Sequence, residues 1–371
     1  MPRKALFYWN ILLLLLAFTQ CSQCQPQVVE SLLDWELTWE EAKPFSSPFS
    51  QEKLHKGLRC YVDSEKATYY LNPTGDCWRF TQDAPQGLVC DKIASFKRVT
   101  GSQSFCVFTA GSTQEQALYV CLVDRTHVKL IHYKEGNWVD LKRYALPKVL
   151  SGSSVKGAAC SIHKEDGQVN GLIILAPQSG KGTLCTLEYD PVTEKLAVSP
   201  AWRGQYNITP DTAVEIAPDM LLSAARSGQT SMIDRLTKGD STKSKLAPLS
   251  GNANHLDLFV LKVRGFMKKA VLAFYVKKNK KADIKFCTLE IKDSKMYVAK
   301  ASYVTEQEEE HSHNNIDHRE SLIIPFADAV YLITQPDNPV YYKGSFKKPS
   351  DQPKDNDDEK NASSKMDDES K

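Results

Sequence analysis

Short apolar runs separated by polar, turn-prone stretches recur along most of the chain. The runs beginning at Leu58 (LRCYV), Phe105 (FCVFTA), Leu172 (LIILA), Leu221 (LLSAA), Val271 (VLAFYV) and Leu322 (LIIPF) serve as markers, spaced at 47, 67, 49, 50 and 51 residues. A second run follows each marker: ATYYL, ALYVCLV, TLCTLEY, SMIDRL, IKFCTLEI and AVYLIT. The polar stretches between them, such as GSTQEQ, PQSGKG, RSGQT and KKNKKAD, have the chemistry of hairpin connections. A third run, seen in DRTHVKLIHY, DPVTEKLAVSP and KDSKMYVAKAS, is the most polar and places lysine beside apolar residues. That is how an edge strand protects itself from pairing with other chains. A fourth run precedes the set, most clearly LDLFVLKVRG before AVLAFYV.

Four antiparallel strands in about 50 residues, repeated six times, predict an all-β fold, a six-bladed β-propeller of four-stranded antiparallel blades over residues 25–346. One blade alone leaves both faces of its sheet in water, and radial stacking removes that exposure. The 67-residue interval reads as an insertion around Leu146 to Ala158. The last unit is short of a strand, whereas SLLDWELTWE, with Trp35 and Trp39, is an apolar-rich segment without a unit of its own. We expect this segment to complete the last blade and latch the ring, the other possibility being a short amphipathic helix on the surface. The alternative architecture is a pair of β-sandwich or barrel domains divided near residue 150–160.

The N-terminus changes the compartment. Arg3 and Lys4 precede an apolar run densest at Ile11 to Phe18, with small residues suited to cleavage after Cys24, so residues 1–24 read as a secretory signal peptide. No later segment is apolar for long enough to span a bilayer as a helix, so no membrane span is expected in the mature chain. Residues 347–371 are charged and lack aromatics, the composition of a disordered tail. Asn207 and Asn361 stand in glycosylation sequons.

Eight cysteines remain beyond the leader, an even number that favours disulfides in an oxidising compartment. The hairpin spacing sets Cys106 against Cys121. Cys60 with Cys77 and Cys160 with Cys185 are the other expected bridges, leaving Cys90 and Cys287 as buried thiols.

Net charge of +2 and 25% charged residues create no demand for nucleic acid. None of the short motifs of the common hydrolase, phosphate-binding or metal-binding sites occurs. His311, His313, Asp317 and His318 could hold a divalent cation, but four glutamates at 306–310 read more simply as a solvated loop. Lys277, Lys278, Lys280 and Lys281 form a basic hairpin tip able to meet an acidic surface, although lysine at a tip also simply keeps an edge soluble. A propeller hydrolase would want Glu, Asn and Asp residues from different blades around a central cation, for which Glu215, Asn252, Asn254 and Asp257 are candidates, and such residues also abound in loops for turn reasons. The reading is therefore a secreted non-catalytic module that presents loops to an extracellular or cell-surface protein, with no cofactor. An extracellular hydrolase with a cation in its channel is the alternative.

Overall fold

The computed structural model describes residues between 35 and 348, apart from most loop tips and longer segments such as 204–211, 246–252 and 304–320; for some strands, including all of 212–245, the backbone alone is described. Among the described residues there are 25 strands and no helix. Strands β1 (Glu36–Trp39) and β2 (Lys43–Pro44) precede six antiparallel sheets. Blade one is β3 (Leu58–Val62), β4 (Ala67–Leu71), β5 (Asp76–Asp83) and β6 (Gly87–Ser95). Blade two is β7 (Ser104–Gly111), β8 (Gln116–Val123), β9 (His127–Lys134) and β10 (Asn137–Ala145). Blade three is β11 (Val155–Glu165), β12 (Gln168–Pro177), β13 (Thr183–Asp190) and β14 (Lys195–Arg203). Blade four is β15 (Thr212–Ala217), β16 (Met220–Ala224), β17 (Gln229–Asp234) and β18 (Thr242–Lys245). Blade five is β19 (Ala253–Arg264), β20 (Met267–Lys278), β21 (Lys281–Lys292) and β22 (Lys295–Tyr303). Blade six is β23 (Ser321–Pro325), β24 (Ala329–Thr334) and β25 (Val340–Lys347), completed by β1.

The molecule is a six-bladed β-propeller. Within blades one to five the strands follow one another in chain order, and from blade one to blade six the first strand of each lies beside the first strand of the next. The alternation along these strands serves two seams at once. Phe105 and Val107 of β7 pack toward blade one, with Tyr69 and Leu71. Cys106 and Phe108, on the opposite face, pack toward Leu187 and Tyr189 of blade three. In blade six, Leu322 and Ile324 pack toward Tyr70 and Phe80 of blade one, whereas Ile323 and Leu332 face Phe259 and Phe286 of blade five. Both faces of a blade are thus apolar because both are covered, which explains runs as continuous as SLIIP and AVYLIT, buried almost throughout.

The expected latch is present. β1 pairs antiparallel with β25, Glu36 opposite Lys347 and Trp39 opposite Gly344, and β2 continues along the same strand. Leu37 is buried between blades five and six, and the Trp39 ring lies 4.6 Å from that of Phe286. Lys269, only 4% exposed, donates from Nζ to the Trp35 carbonyl at 3.2 Å and lies over the Phe346 ring. At the other side of blade six the Thr68 hydroxyl donates to the Pro325 carbonyl.

The marker runs do not all fall on the same strand of their blades, although in blade five the expected fourth run, LDLFVLKVRG, does precede its marker as β19. LRCYV, FCVFTA and LIIPF mark first strands, but LIILA, LLSAA and VLAFYV mark second strands, in β12, β16 and β20. The 67-residue interval is therefore not an insertion, because its marker steps from β7 to β12. Measured from first strand to first strand, starts fall at 58, 104, 155, 212, 253 and 321, and the longest interval, 68 residues, contains the 304–320 segment. Similarly, HVKLIHYK is the third strand of blade two and β10 is its edge, whereas the polar runs in blades three and five are true edges, β14 and β22. Residues 1–24 and the tail lie outside the described residues, and β25 ends at Lys347, one residue past the expected boundary.

Candidate interaction surface

Alternating strand direction gives the disc two unlike rims. The second-to-third hairpins and the connections between blades share one, here the connection rim; the first-to-second and third-to-fourth hairpins share the other, the hairpin rim. All five connections of eight residues or more, 45–57, 96–103, 146–154, 204–211 and 304–320, leave from the connection rim. Returning from the outer strand of a blade to the inner strand of the next means crossing three strand spacings, about 14 Å. Roughly five extended residues achieve that. The 17 residues of 304–320 are far in excess.

Two described hairpins on this rim are built alike. In blade one, Asn72 Oδ1 accepts from the backbone N–H groups of Thr74 and Asp76 and from the Thr74 hydroxyl. In blade two, Asp124 Oδ1 accepts from the N–H groups of Thr126 and His127. Short side-chain acceptors of this kind hold a turn without needing its backbone to pair elsewhere. The next connection is tied to the turn, Phe96 N–H donating to Gly75 O and Leu146 N–H to Thr126 O, each at 2.8 Å. A cation from the fourth strand completes the base, Lys92 with Asp76 and Arg143 with Asp124, both at 2.8 Å.

These contacts hold Asp76 below the usual carboxylate range, chiefly through Lys92 and then Ser95. For Asp124, burial opposes ionisation, but the Thr126 and His127 N–H groups and the Arg143 guanidinium outweigh it and its carboxyl is also lowered. A depressed folded value means that the unfolded chain takes up protons first. The stabilisation is complete above the unfolded value of about 4 and is lost as pH falls through the folded values. In thermal melts from pH 6 to pH 2, the Asp76→Asn, Asp124→Asn double variant should show a shallower fall below pH 4 than the parent. Parallel curves would remove these carboxylates from the account. Asp124→Ala should cost about 1 kcal/mol at neutral pH, the net worth of a typical hydrogen bond.

The basic tip is on the connection rim. Lys277 lies opposite Ala282 and Lys278 opposite Lys281 at the end of the β20–β21 hairpin, and Lys280 is outside the described residues. The 304–320 segment departs from the same rim; His311, His313, Asp317 and His318 are also outside the described residues, as are Asn207 and Asn361. Of the residues considered for a channel cation, Glu215 lies in β15 and Asn254 and Asp257 in β19, in different blades, with Asn252 outside the described residues. Among the described residues no group of three His, Cys, Asp or Glu side chains is placed to hold a metal ion.

On the hairpin rim four blades meet in a polar cluster that the sequence did not advertise. Asp63, just after β3, receives Lys262 Nζ of blade five at 3.2 Å and the Tyr61 hydroxyl at 3.2 Å. Ser64 and Thr109 are hydrogen-bonded at 3.0 Å, and the Lys262 N–H donates to Ala327 O of blade six at 2.5 Å. Burial, then Asp63, pushes the Tyr61 phenol up to about 12. The pair reaches from blade five to blade one past blade six. Only the folded ring brings residues 199 positions apart together.

The cysteines are arranged differently from the expected bridges. Cys106 does face Cys121 across the β7–β8 ladder. Cys60 on β3 and Cys77 on β5 are separated by β4 and offset, Cys60 lying opposite Tyr69 and Cys77 opposite Leu71. Cys160 and Cys185 both lie opposite Ile173, one on each side of it. Strands two apart are about 9.6 Å from each other. A disulfide needs Cα atoms within about 7 Å. Neither the Cys60–Cys77 nor the Cys160–Cys185 bridge fits this register. Cys60, Cys77, Cys90 and Cys185 carry no disulfide.

No protein-family model matches the sequence, and no curated protein matches it. Among solved structures the chain is similar to a sialidase from Trypanosoma rangeli in complex with sialic acid, at 11% identity over 83% of this chain and 58% of that one, with a TM-score of 0.42. It spans little more than half of that enzyme's length. It is also similar to the Aleuria aurantia lectin in complex with alpha-methyl-L-fucoside, at 9% identity over 80% and 96% of the two chains with a TM-score of 0.46. The WD40 domain of SCAP from fission yeast matches at 8% identity over 82% and 98%, with a TM-score of 0.41.

Proposed function

We propose that this β-propeller is a secreted, non-catalytic protein-binding module whose connection rim meets an extracellular or cell-surface protein. The observation that carries the reading is the asymmetry of the rims: every long connection leaves from one of them, above hairpins whose bases are pinned by side-chain acceptors and ion pairs. Rigid bases under long loops are the arrangement in which binding residues gather. The β20–β21 hairpin, with Lys277, Lys278 and Lys281 at its strand ends, opens on this rim, and so do the strands that flank 304–320. The sequences of these two connections, Lys277 to Lys281 and 306–310, supply charge of both signs for a partner. On the opposite rim the carboxylate of Asp63 is engaged by Lys262, which favours binding over cation-dependent hydrolysis at that mouth.

The test is partner capture from the protein's natural secretory setting with three variants compared quantitatively. Lys277, Lys278, Lys280 and Lys281 replaced together by serine, or residues 306–318 replaced by a six-residue Gly/Ser link, should weaken capture of the same partner at least tenfold. Asp63→Asn on the hairpin rim should leave it unchanged. Undiminished capture by both connection-rim variants, or loss on changing Asp63 alone, would move the interface elsewhere.

A further inference from the structure

Val107 stands on the innermost strand of blade two, with β8 on one side and blade one on the other. Its N–H donates to Cys60 Sγ at 3.2 Å and its C=O accepts from the same thiol at 3.5 Å. Both polar groups of Val107 therefore point away from β8, so Val107 and Val120 form a non-hydrogen-bonded pair of the ladder. By alternation, Cys106 and Cys121 form a hydrogen-bonded pair. In such pairs the Cβ atoms lie near the wide end of a cross-strand range of about 4.5–5.5 Å. A disulfide draws them to about 3.8 Å. The bridge between β7 and β8 thus requires the ladder to deform, whereas Cys60 reaches over the inner edge of β7 to the backbone of Val107, the residue next to Cys106, and packs against the cluster that holds Cys106.

We propose that Cys60 and Cys106 are the redox-active pair of this protein and that they close a disulfide between blades one and two. The reaction needs a small disulfide as oxidant, of the class of glutathione disulfide. The Cys60 thiolate attacks one sulfur of the oxidant, whose S–S bond breaks and releases one thiolate. Cys106 then loses its proton and attacks the Cys60 sulfur of the mixed disulfide, releasing the second thiolate. Two protein thiols lose two electrons and two protons, and one small disulfide becomes two thiols. The surroundings favour Cys60 as the attacking group: the hydrogen bond with Cys106 and the Val107 N–H hold it below the ordinary thiol range against the effect of burial. Burial raises Cys77 and Cys90 well above that range and pushes Cys185 up to about 11, so they stay protonated.

The full secreted chain and its Cys60→Ser, Cys106→Ser and Cys121→Ser variants would be equilibrated with mixtures of reduced and oxidised glutathione, acid-quenched, alkylated, digested and mapped by mass spectrometry. A peptide linking Cys60 to Cys106 is expected in the parent and in Cys121→Ser, and in neither of the other two. A Cys106 to Cys121 link in the parent, or no link under fully oxidising conditions, would overturn the proposal. The alkylation rate of the reduced parent as a function of pH needs no variant to fold. Cys60 should be labelled before Cys77, Cys90 and Cys185, and labelling after them would count equally against it.

Discussion

A chain beginning at residue 45, without β1 and β2, is expected to lose its cooperative thermal transition or to melt more than 10 °C below the parent. Four ladder pairs along β25 disappear with β1. So does Leu37, buried between blades five and six, and the Lys269 ammonium loses the Trp35 carbonyl. Deleting one buried Leu side chain alone costs about 2–5 kcal/mol. An ordered domain has only about 5–15 kcal/mol in total. The exposed edge of β25 would further offer unpaired N–H and C=O groups to other chains, so aggregation should accompany the loss. A synthetic peptide of residues 34–46 added in trans should raise the transition again by restoring the missing strand. Trp39→Ala is the milder form: Trp39 is only half-buried, so about 3 kcal/mol is expected, at the low end for a large aromatic. Gly344→Ala should act on the same contact from the other side, since a Cβ there would lie 2.9 Å from the Trp39 ring. A truncated chain melting within 2 °C of the parent would show that the ring does not need this latch.

The second large effect is expected at Gly57, where the chain enters blade one. A Cβ at this position would stand 2.0 Å from Tyr70 Cε2 and 2.6 Å from the Tyr70 hydroxyl oxygen. The ring has nowhere to go: Tyr70 is 0% exposed and meets Phe49 and Phe80 edge-on, at 5.8 and 6.5 Å between centroids. Overpacking a filled core costs about 1–3 kcal/mol, and Gly57→Val should reach or exceed the upper figure. Tyr70→Leu removes the obstructing ring and leaves space, so the loss from Gly57→Val should shrink by more than 1 kcal/mol in that background. Denaturant melts of the four chains measure this coupling. Additive losses would mean that Gly57 is required for another reason.

Several elements are legible in the sequence alone. The six-fold recurrence and its four-strand unit follow from alternation and turn chemistry, which are local. The latch was legible by elimination, since SLLDWELTWE is apolar without a unit of its own and the last unit lacks a strand. Two errors share one cause. LIILA and LIIPF open on the same three residues although one is in a second strand and the other in a first, because second strands and inner strands are both buried on two faces, so a marker chosen by hydrophobicity can slip by one strand unnoticed. The same slip made an interval of 67 residues look like an insertion and hid the extra length at 304–320.

The cysteines mark where local reading stops. Spacing in a hairpin told which residues stand opposite, so Cys106 was correctly set against Cys121. It could not tell whether the pair is of the wider hydrogen-bonded or the closer non-bonded kind, nor that Cys60, from a different blade, would occupy the free edge of β7. The Asp63–Lys262 contact was equally out of reach, because it depends on how many blades separate β3 from β19 around the axis. By itself the sequence determined which stretches are strands, that they recur in sets of four and that each sheet must be covered on both faces, since these depend on neighbours a few residues away. The tertiary structure alone decided which blades meet, which thiols touch and which rim carries the long connections, because those contacts are set by closure of the ring and join residues tens to hundreds of positions apart.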